Sequence, residues 1–206
     1  MDRKNVPLVG IAGGIASGKS FIAEQFERLG AAVVSADRWA HEVLKLDEIK
    51  HAVRERWGDG AFGPDGKIDR AALGRIVFAT PGELKHLEEL THPKIGQQVR
   101  QEITELAAKR AAAAIVLDVP LLFESGWNNF CDFVVFVEVP RDVRVERATG
   151  RGWTEDDFAR REAAQESLET KRKLADVVID NSGSPESAQA QVERFWHSLV
   201  GSSPPN

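Results

Sequence analysis

The stretch Gly13-Gly14-Ile15-Ala16-Ser17-Gly18-Lys19-Ser20 constrains this chain more than any other. It fits the pattern G-x-x-x-x-G-K-[ST], a loop whose backbone N–H groups cradle anionic oxygens. Each residue type has a chemical reason to be there. Glycines at 13 and 18 let the backbone take positive φ and approach a ligand without a Cβ clash. Lys19 brings a point charge to the β- and γ-phosphates of a nucleotide, and the Ser20 hydroxyl is a hard oxygen suited to Mg²⁺. The helix expected to start here turns its positive end toward the same phosphates. The flanks support the motif. Leu8-Val9-Gly10-Ile11-Ala12 reads as a buried parallel strand, and Ile22, Phe26 and Leu29 follow at helical spacing before Gly30, a C′ stop.

The chain has 206 residues, enough for one large domain or a core with inserted subdomains, and its 42% hydrophobic content supports a real core. A net charge of −5 argues against nucleic acid as a partner, since such proteins usually carry a basic field. The single cysteine, Cys131, excludes an internal disulfide and fits a reducing cytoplasm. The start of the chain leads into a strand too short for a signal segment, and no apolar run approaches membrane-spanning length. The five histidines, among them His41, His51 and His86, show no metal-ligand spacing. Residues 201–206, Gly-Ser-Ser-Pro-Pro-Asn, read as a disordered tail.

Further strands are expected at Ala31–Ala36, Ala113–Asp118, Phe133–Val137 and Val177–Asp180, separated by helical segments. This gives an α/β fold with a doubly wound, five-stranded parallel sheet. Asp37 and Asp118 fall at carboxyl ends of strands, where ligands of such sheets bind; Asp37 also suits the N-cap of the next helix. Residues 1–39, 113–143 and 176–200 form the expected nucleotide-binding core. Residues 40–112 read as an all-helical insertion without a strand. There, 38–57 is one helix, Asp69 caps another, Thr80-Pro81-Gly82-Glu83 starts a third, and Thr91-His92-Pro93 breaks it. Ser184-Pro185 opens a last helix.

Residues 144–175 read as a lid. Arg144, Arg147 and Arg151 share one helix face, glycines flank Arg151, and Thr154 restarts a helix carrying Arg160 and Arg161. Guanidinium groups beside a phosphate loop can clamp a transferring phosphoryl group and exclude water. Among them Arg160 reads as a solvated charge.

Several blocks outside the loop converge on one family. With the loop itself, these are Ser35-Ala36-Asp37, Asp69-Arg70-Ala71-Ala72-Leu73, Leu90-Thr91-His92-Pro93-Lys94-Ile95, Asp118-Val119-Pro120-Leu121-Leu122-Phe123-Glu124, Arg161-Glu162-Ala163-Ala164-Gln165 and Ala175-Asp176-Val177-Val178-Ile179 with Asn181. The chain resembles the dephospho-CoA kinases from about Val9 to Val192. The resemblance implies a kinase of the phosphate-loop type that moves the γ-phosphate of ATP, with Mg²⁺, to the ribose 3′-hydroxyl of dephospho-CoA. It implies that Asp37 meets that hydroxyl as proton acceptor, with Lys19 and Arg147 also catalytic. Loop residues Gly13 to Ser20, Arg147, Arg151 and Asn181 then hold ATP, Asn181 near the adenine. Arg70, His92 and Leu121 stand on the acceptor side, and Ser20 and Asp118 serve the metal. The expected partners are these small molecules alone, with no nucleic acid and no membrane, in a monomer or weak homo-oligomer. The departures from the family pattern are Ala12 and Phe21 beside the loop, His41 where an Arg is frequent, and no acidic residue after Arg151. A nucleoside or nucleotide kinase shares the loop, the aspartate and the arginine lid; the helical insertion and the Asp118-to-Glu124 block separate the two. A guanine-nucleotide switch would carry an Asn/Thr-Lys-x-Asp motif, which is absent from the sequence.

Overall fold

The computed structural model describes residues 6–201; the expected tail beyond Gly201 and the first five residues lie outside them. Five strands are described: Leu8–Gly13 (β1), Ala32–Ser35 (β2), Ile115–Asp118 (β3), Phe133–Glu138 (β4) and Val177–Asp180 (β5). They form one parallel sheet in the order β2-β3-β1-β4-β5, with β1 pairing both β3 and β4. β1 therefore stands at the centre, and its carboxyl end is the phosphate loop. A central parallel strand must be apolar on both faces. Val9 and Ile11 enter one core cluster, while Leu8 and Ala12, pointing the other way, are also buried.

That cluster is closed by Lys19–Arg28 (α1) and Pro185–Gly201 (α9). Phe26, fully buried, meets Phe195 edge-on at 6.0 Å and 87°. Its burial is worth on the order of 2–3 kcal/mol. α1 ends as expected, its chain turning at Gly30 with φ 102°. α9 runs on through Gly201, so the last helix takes in the first residue of the expected tail.

The chain divides into two compact units, Met1–Val34 with Ile103–Asn206, and Ser35–Glu102. The second unit carries Ala36–Val43 (α2), Asp47–Trp57 (α3), Arg70–Ala79 (α4) and most of Glu83–Lys109 (α5). Its own core is Val43, Ile49, Val53, Ala61, Leu73 and Val77. Two sequence expectations are corrected here. Residues 38–57 form two helices, because the step from Val43 to Ile49 is out of phase with a single one; Leu46, extended, caps the second. The stretch around Thr91-His92-Pro93 does not break a helix: α5 is continuous and Pro93 lies inside it, with Thr91 Oγ1 donating to Leu87 O at 2.7 Å. The insertion also holds one antiparallel bridge, Phe62 to Ile68, around the Gly63-Pro64-Asp65-Gly66 turn. Asp69 caps α4 as expected, accepting from the N–H groups of Ala71 and Ala72.

Between β4 and β5 come Arg141–Thr149 (α6), Glu155–Ala163 (α7) and Leu168–Lys173 (α8).

Candidate functional site: an anion-binding loop with buried cations

The loop leaves β1 at Gly13 and enters α1 at Lys19. Gly18, at the N-cap position, is left-handed (φ 87°, ψ 32°) and caps nothing with a side chain. The first turn of α1 holds no acidic residue. Its N–H groups and positive dipole end are therefore left to an external anion. Ala16 also has positive φ, 59°, a strained state for a residue with a Cβ and one the sequence does not announce. Gly14 is buried and Ile15 half-buried; Ile15 opens with Arg144, Gln165 and Leu168 onto a cavity of about 180 Å³.

A polar clamp holds the loop from behind. Asn181, buried just after β5, donates from Nδ2 to Ser17 O at 2.8 Å. Arg147 on α6 donates to the same carbonyl at 3.4 Å and to Asn181 O at 2.8 Å. A Cβ at Gly18 would stand 2.4 Å from Asn181 Nδ2, so this contact as well as φ requires glycine. Asn181 thus uses its side-chain amide on the loop rather than presenting it outward. Ser17 Oγ is buried with no hydrogen-bond partner among the described residues, and so is Arg144 Nη1.

Lys19 Nζ donates to Gly13 O and Gly14 O, both at 3.2 Å. Burial pushes its pKa below the ordinary lysine value; the Asp118 carboxylate opposes the shift and the Lys171 ammonium adds to it. Asp118, half-buried at the end of β3, is thereby in electrostatic range of Lys19. Ser20 is exposed on the first turn of α1. Among the described residues, no group of three or more His, Cys, Asp or Glu could hold a metal unaided. Ser20 and Asp118 each carry a hard oxygen donor, the type a hydrated divalent cation accepts.

After β3 the chain turns at Leu121, whose φ is 57° and whose side chain is 41% exposed, an uncommon state for a branched apolar residue. Leu121, Lys19 and Lys171 line one small recess beside Gly13.

The lid arginines separate. Arg144 is not on an open face: it is buried, ion-paired to Glu162 at 2.7 Å, donating to Val139 O at 3.1 Å and stacked on Phe158. Burial works against the Glu162 charge, but hydrogen bonds from Arg144 and Arg141 outweigh it and hold the carboxyl below its ordinary range. Arg147 is in the clamp. Arg151 is exposed. Arg160 pairs with Asp157 at the surface, and Arg161 lies over the Trp153 ring at 4.3 Å.

Asp37, Arg70 and His92 belong to the second unit. Asp37 is exposed on the first turn of α2, directly after β2; the N-cap is Ser35, whose hydroxyl accepts from Arg38 N. The next two residues are anchored to Glu102, Arg38 by an ion pair and Trp39 by Nε1 to Oε2 at 2.6 Å. Arg70 opens α4 and His92 lies on α5, both exposed.

Sequence reasoning missed Lys171, a lysine among lysines on α8 that turns out to be buried, and its partner Glu124. Glu124 stood inside a quoted block, but no spacing rule links it to α8.

A family model described as dephospho-CoA kinase matches residues 7–187. A dephospho-CoA kinase of Carboxydothermus hydrogenoformans is 41% identical over 189 residues, covering 91% of each chain. One of Symbiobacterium thermophilum is 39% identical, covering 94% of this chain and 82% of the relative. The crystal structure of TT1252 from Thermus thermophilus superimposes with a TM-score of 0.77 at 30% identity, over 97% of this chain and 99% of the other.

Proposed function

The chain belongs to the dephospho-CoA kinase family, and from that premise we propose that it transfers the γ-phosphate of ATP to the ribose 3′-hydroxyl of dephospho-CoA. The observation that carries the reading is the phosphate loop itself: a left-handed Gly18, an α1 amino end without a side-chain cap, and a half-buried lysine beside it.

The chemistry follows from this chain's own groups. Loop N–H groups from Gly13 to Ser20 receive the β- and γ-phosphate oxygens, and Lys19 exchanges its carbonyl partners for them. Ser20 and Asp118 would hold Mg²⁺, which would offset phosphate charge. Arg147 and Arg151 add positive charge from the lid, and Asn181 borders the adenine. Asp37 accepts the proton of the 3′-hydroxyl as its oxygen bonds to the γ-phosphorus. The bond to the bridging oxygen breaks and ADP leaves with that electron pair. Arg70, His92 and Leu121 bind the acceptor. The lid at 144–175 excludes water as it closes. The enzyme works in the cytoplasm as a monomer or weak homo-oligomer, which its lone cysteine suits. Among the described residues no helix is long and apolar enough to cross a membrane.

The test is a coupled assay with ATP and either dephospho-CoA or a panel of nucleosides and nucleotides. Turnover of dephospho-CoA alone is expected; turnover of the panel alone moves the protein to nucleoside or nucleotide kinases. Asp37→Asn should lower kcat by about 10²–10⁴-fold and leave ATP affinity within about twofold. Loss of ATP binding and turnover together would make Asp37 structural.

A further inference from the structure

One buried cation has no part in the chemistry above. Lys171, on α8, is 2% exposed. A lysine is almost never so buried unless paired, and its pairing is specific. Nζ lies 2.7 Å from Glu124 Oε1 and donates to Gln165 Oε1 at 3.3 Å. Glu124 Oε1 also accepts the backbone N–H of Glu166 at 2.9 Å. One carboxylate oxygen of the β3–β4 connection thus fixes both the end of the α7–α8 turn, just before the Ser167 cap, and the lysine on α8. Among the described residues these contacts use two of the three N–H groups of the ammonium, so a third donor is left.

Lys171 also faces the phosphate loop: it and Lys19 border the same recess beside Gly13 and Leu121. Two ammonium groups there repel each other. Lys171 lowers the Lys19 pKa, while Asp118 and Glu124 raise it. The arrangement is costly in the empty protein and favourable when a polyanion lies between the cations. Burying an ion pair is seldom a source of stability by itself, so its position calls for a reason.

We propose that Lys171 is a second phosphate-contacting lysine, placed by Glu124 so that its remaining N–H meets the γ-phosphoryl group from the side opposite the loop. Glu124 is then a positioning residue that acts through Lys171. This deepens the phosphate half of the proposed function and does not depend on the identity of the acceptor.

The experiment is equilibrium binding of ATP and of ADP, without acceptor, to Lys171→Met, Lys171→Arg, Glu124→Gln and the double variant Glu124→Gln/Lys171→Met, each checked for folding by circular dichroism. A charged contact to the γ-phosphate predicts that Lys171→Met weakens ATP about tenfold or more and ADP less than about twofold. Lys171→Arg, which keeps the charge, retains most of the ATP preference. The double variant stays as weak for ATP as Lys171→Met, because removing the orphaned carboxylate does not replace the lost cation. Glu124→Gln loses part of the ATP preference, with Lys171 still present. Equal weakening of ATP and ADP by Lys171→Met would overturn the proposal. So would recovery of wild-type ATP affinity in the double variant, which would show Lys171 to be only Glu124's counter-ion. Since no acceptor is present, failure of dephospho-CoA to turn over leaves these affinities interpretable, and the converse holds too.

Discussion

At the scale of single residues, the loop is held from behind by side chains of distant segments. Ser17 O receives Asn181 Nδ2 and Arg147 Nη1, and Arg147 Nη2 in turn holds Asn181 O. The clamp reaches across the chain to fix the turn just before Lys19. Gly18 makes it possible, being left-handed and without a Cβ against Asn181. Gly18→Ala therefore meets two penalties. The left-handed state costs an alanine about 1–2 kcal/mol, and the new methyl displaces the Asn181 amide. Gly30→Ala is the control, for it shares the positive φ of 102° but has nothing within 4 Å of its Cβ. Both variants should lose about 1–2 kcal/mol or more in urea unfolding. Only Gly18→Ala should also lose ATP affinity, by about tenfold or more, read by isothermal titration. Equal ATP affinity in the two variants would mean that the clamp does not shape the loop.

At the scale of elements, caps and strands act locally, while polar pairs override local signals. Asp69 holds the second and third N–H groups of α4, those of Ala71 and Ala72. Asp69→Ala should destabilise the protein by about 1 kcal/mol, and Asp69→Asn by less, in chemical denaturation; no change would place α4's stability wholly in its packing. This cap was legible because, among the described residues, its carboxylate has no competing partner. Thr80-Pro81-Gly82-Glu83 reads as a cap with Glu83 three residues in, yet the Glu83 carboxylate goes to Arg56 and to Trp57 Nε1 at 2.7–2.9 Å, and α5 begins at Glu83 itself. Pro93 misled for a related reason. A proline forbids one backbone hydrogen bond but not a helix whose length and core contacts outweigh it; Leu87, Leu90 and Ile95 pack into one cluster on both sides of it. The strands were legible to within a residue or two at each end because each is an apolar run, fully buried in the central β1 and partly buried in the edge strands β2 and β5. The phosphate loop was legible because its chemistry is written in consecutive residues. The Lys171–Glu124 pair and the burial of Arg144 were not, since they arise only where distant segments meet.

At the scale of the whole molecule, the residues proposed for catalysis are split between the two compact units. The phosphate loop, Arg147, Asn181 and Lys171 stand in one, Asp37, Arg70 and His92 in the other. The second unit has its own core around Val53 and Leu73 and its own turns, so it can carry a ligand surface of its own. The proposed function therefore predicts two separable footprints. A ligand that binds only the folded form at a hundredfold its Kd adds about 2.7 kcal/mol of stability, and amides that exchange through opening of the unit it binds should slow accordingly. In hydrogen exchange read by mass spectrometry, ATP alone should protect residues 13–20 and the segments around Arg147 and Asn181. Dephospho-CoA alone should protect residues 69–79 and the turn of α5 around His92. The split follows from the chemistry of each surface, since the first unit offers buried cations and uncapped N–H groups for a triphosphate. The second offers an exposed arginine and histidine on helices packed around a hydrophobic core to an acceptor that is part nucleotide and part pantetheine arm. Protection by dephospho-CoA confined to the first unit would remove Arg70 and His92 from the acceptor site and leave Ser35–Glu102 with no place in substrate binding.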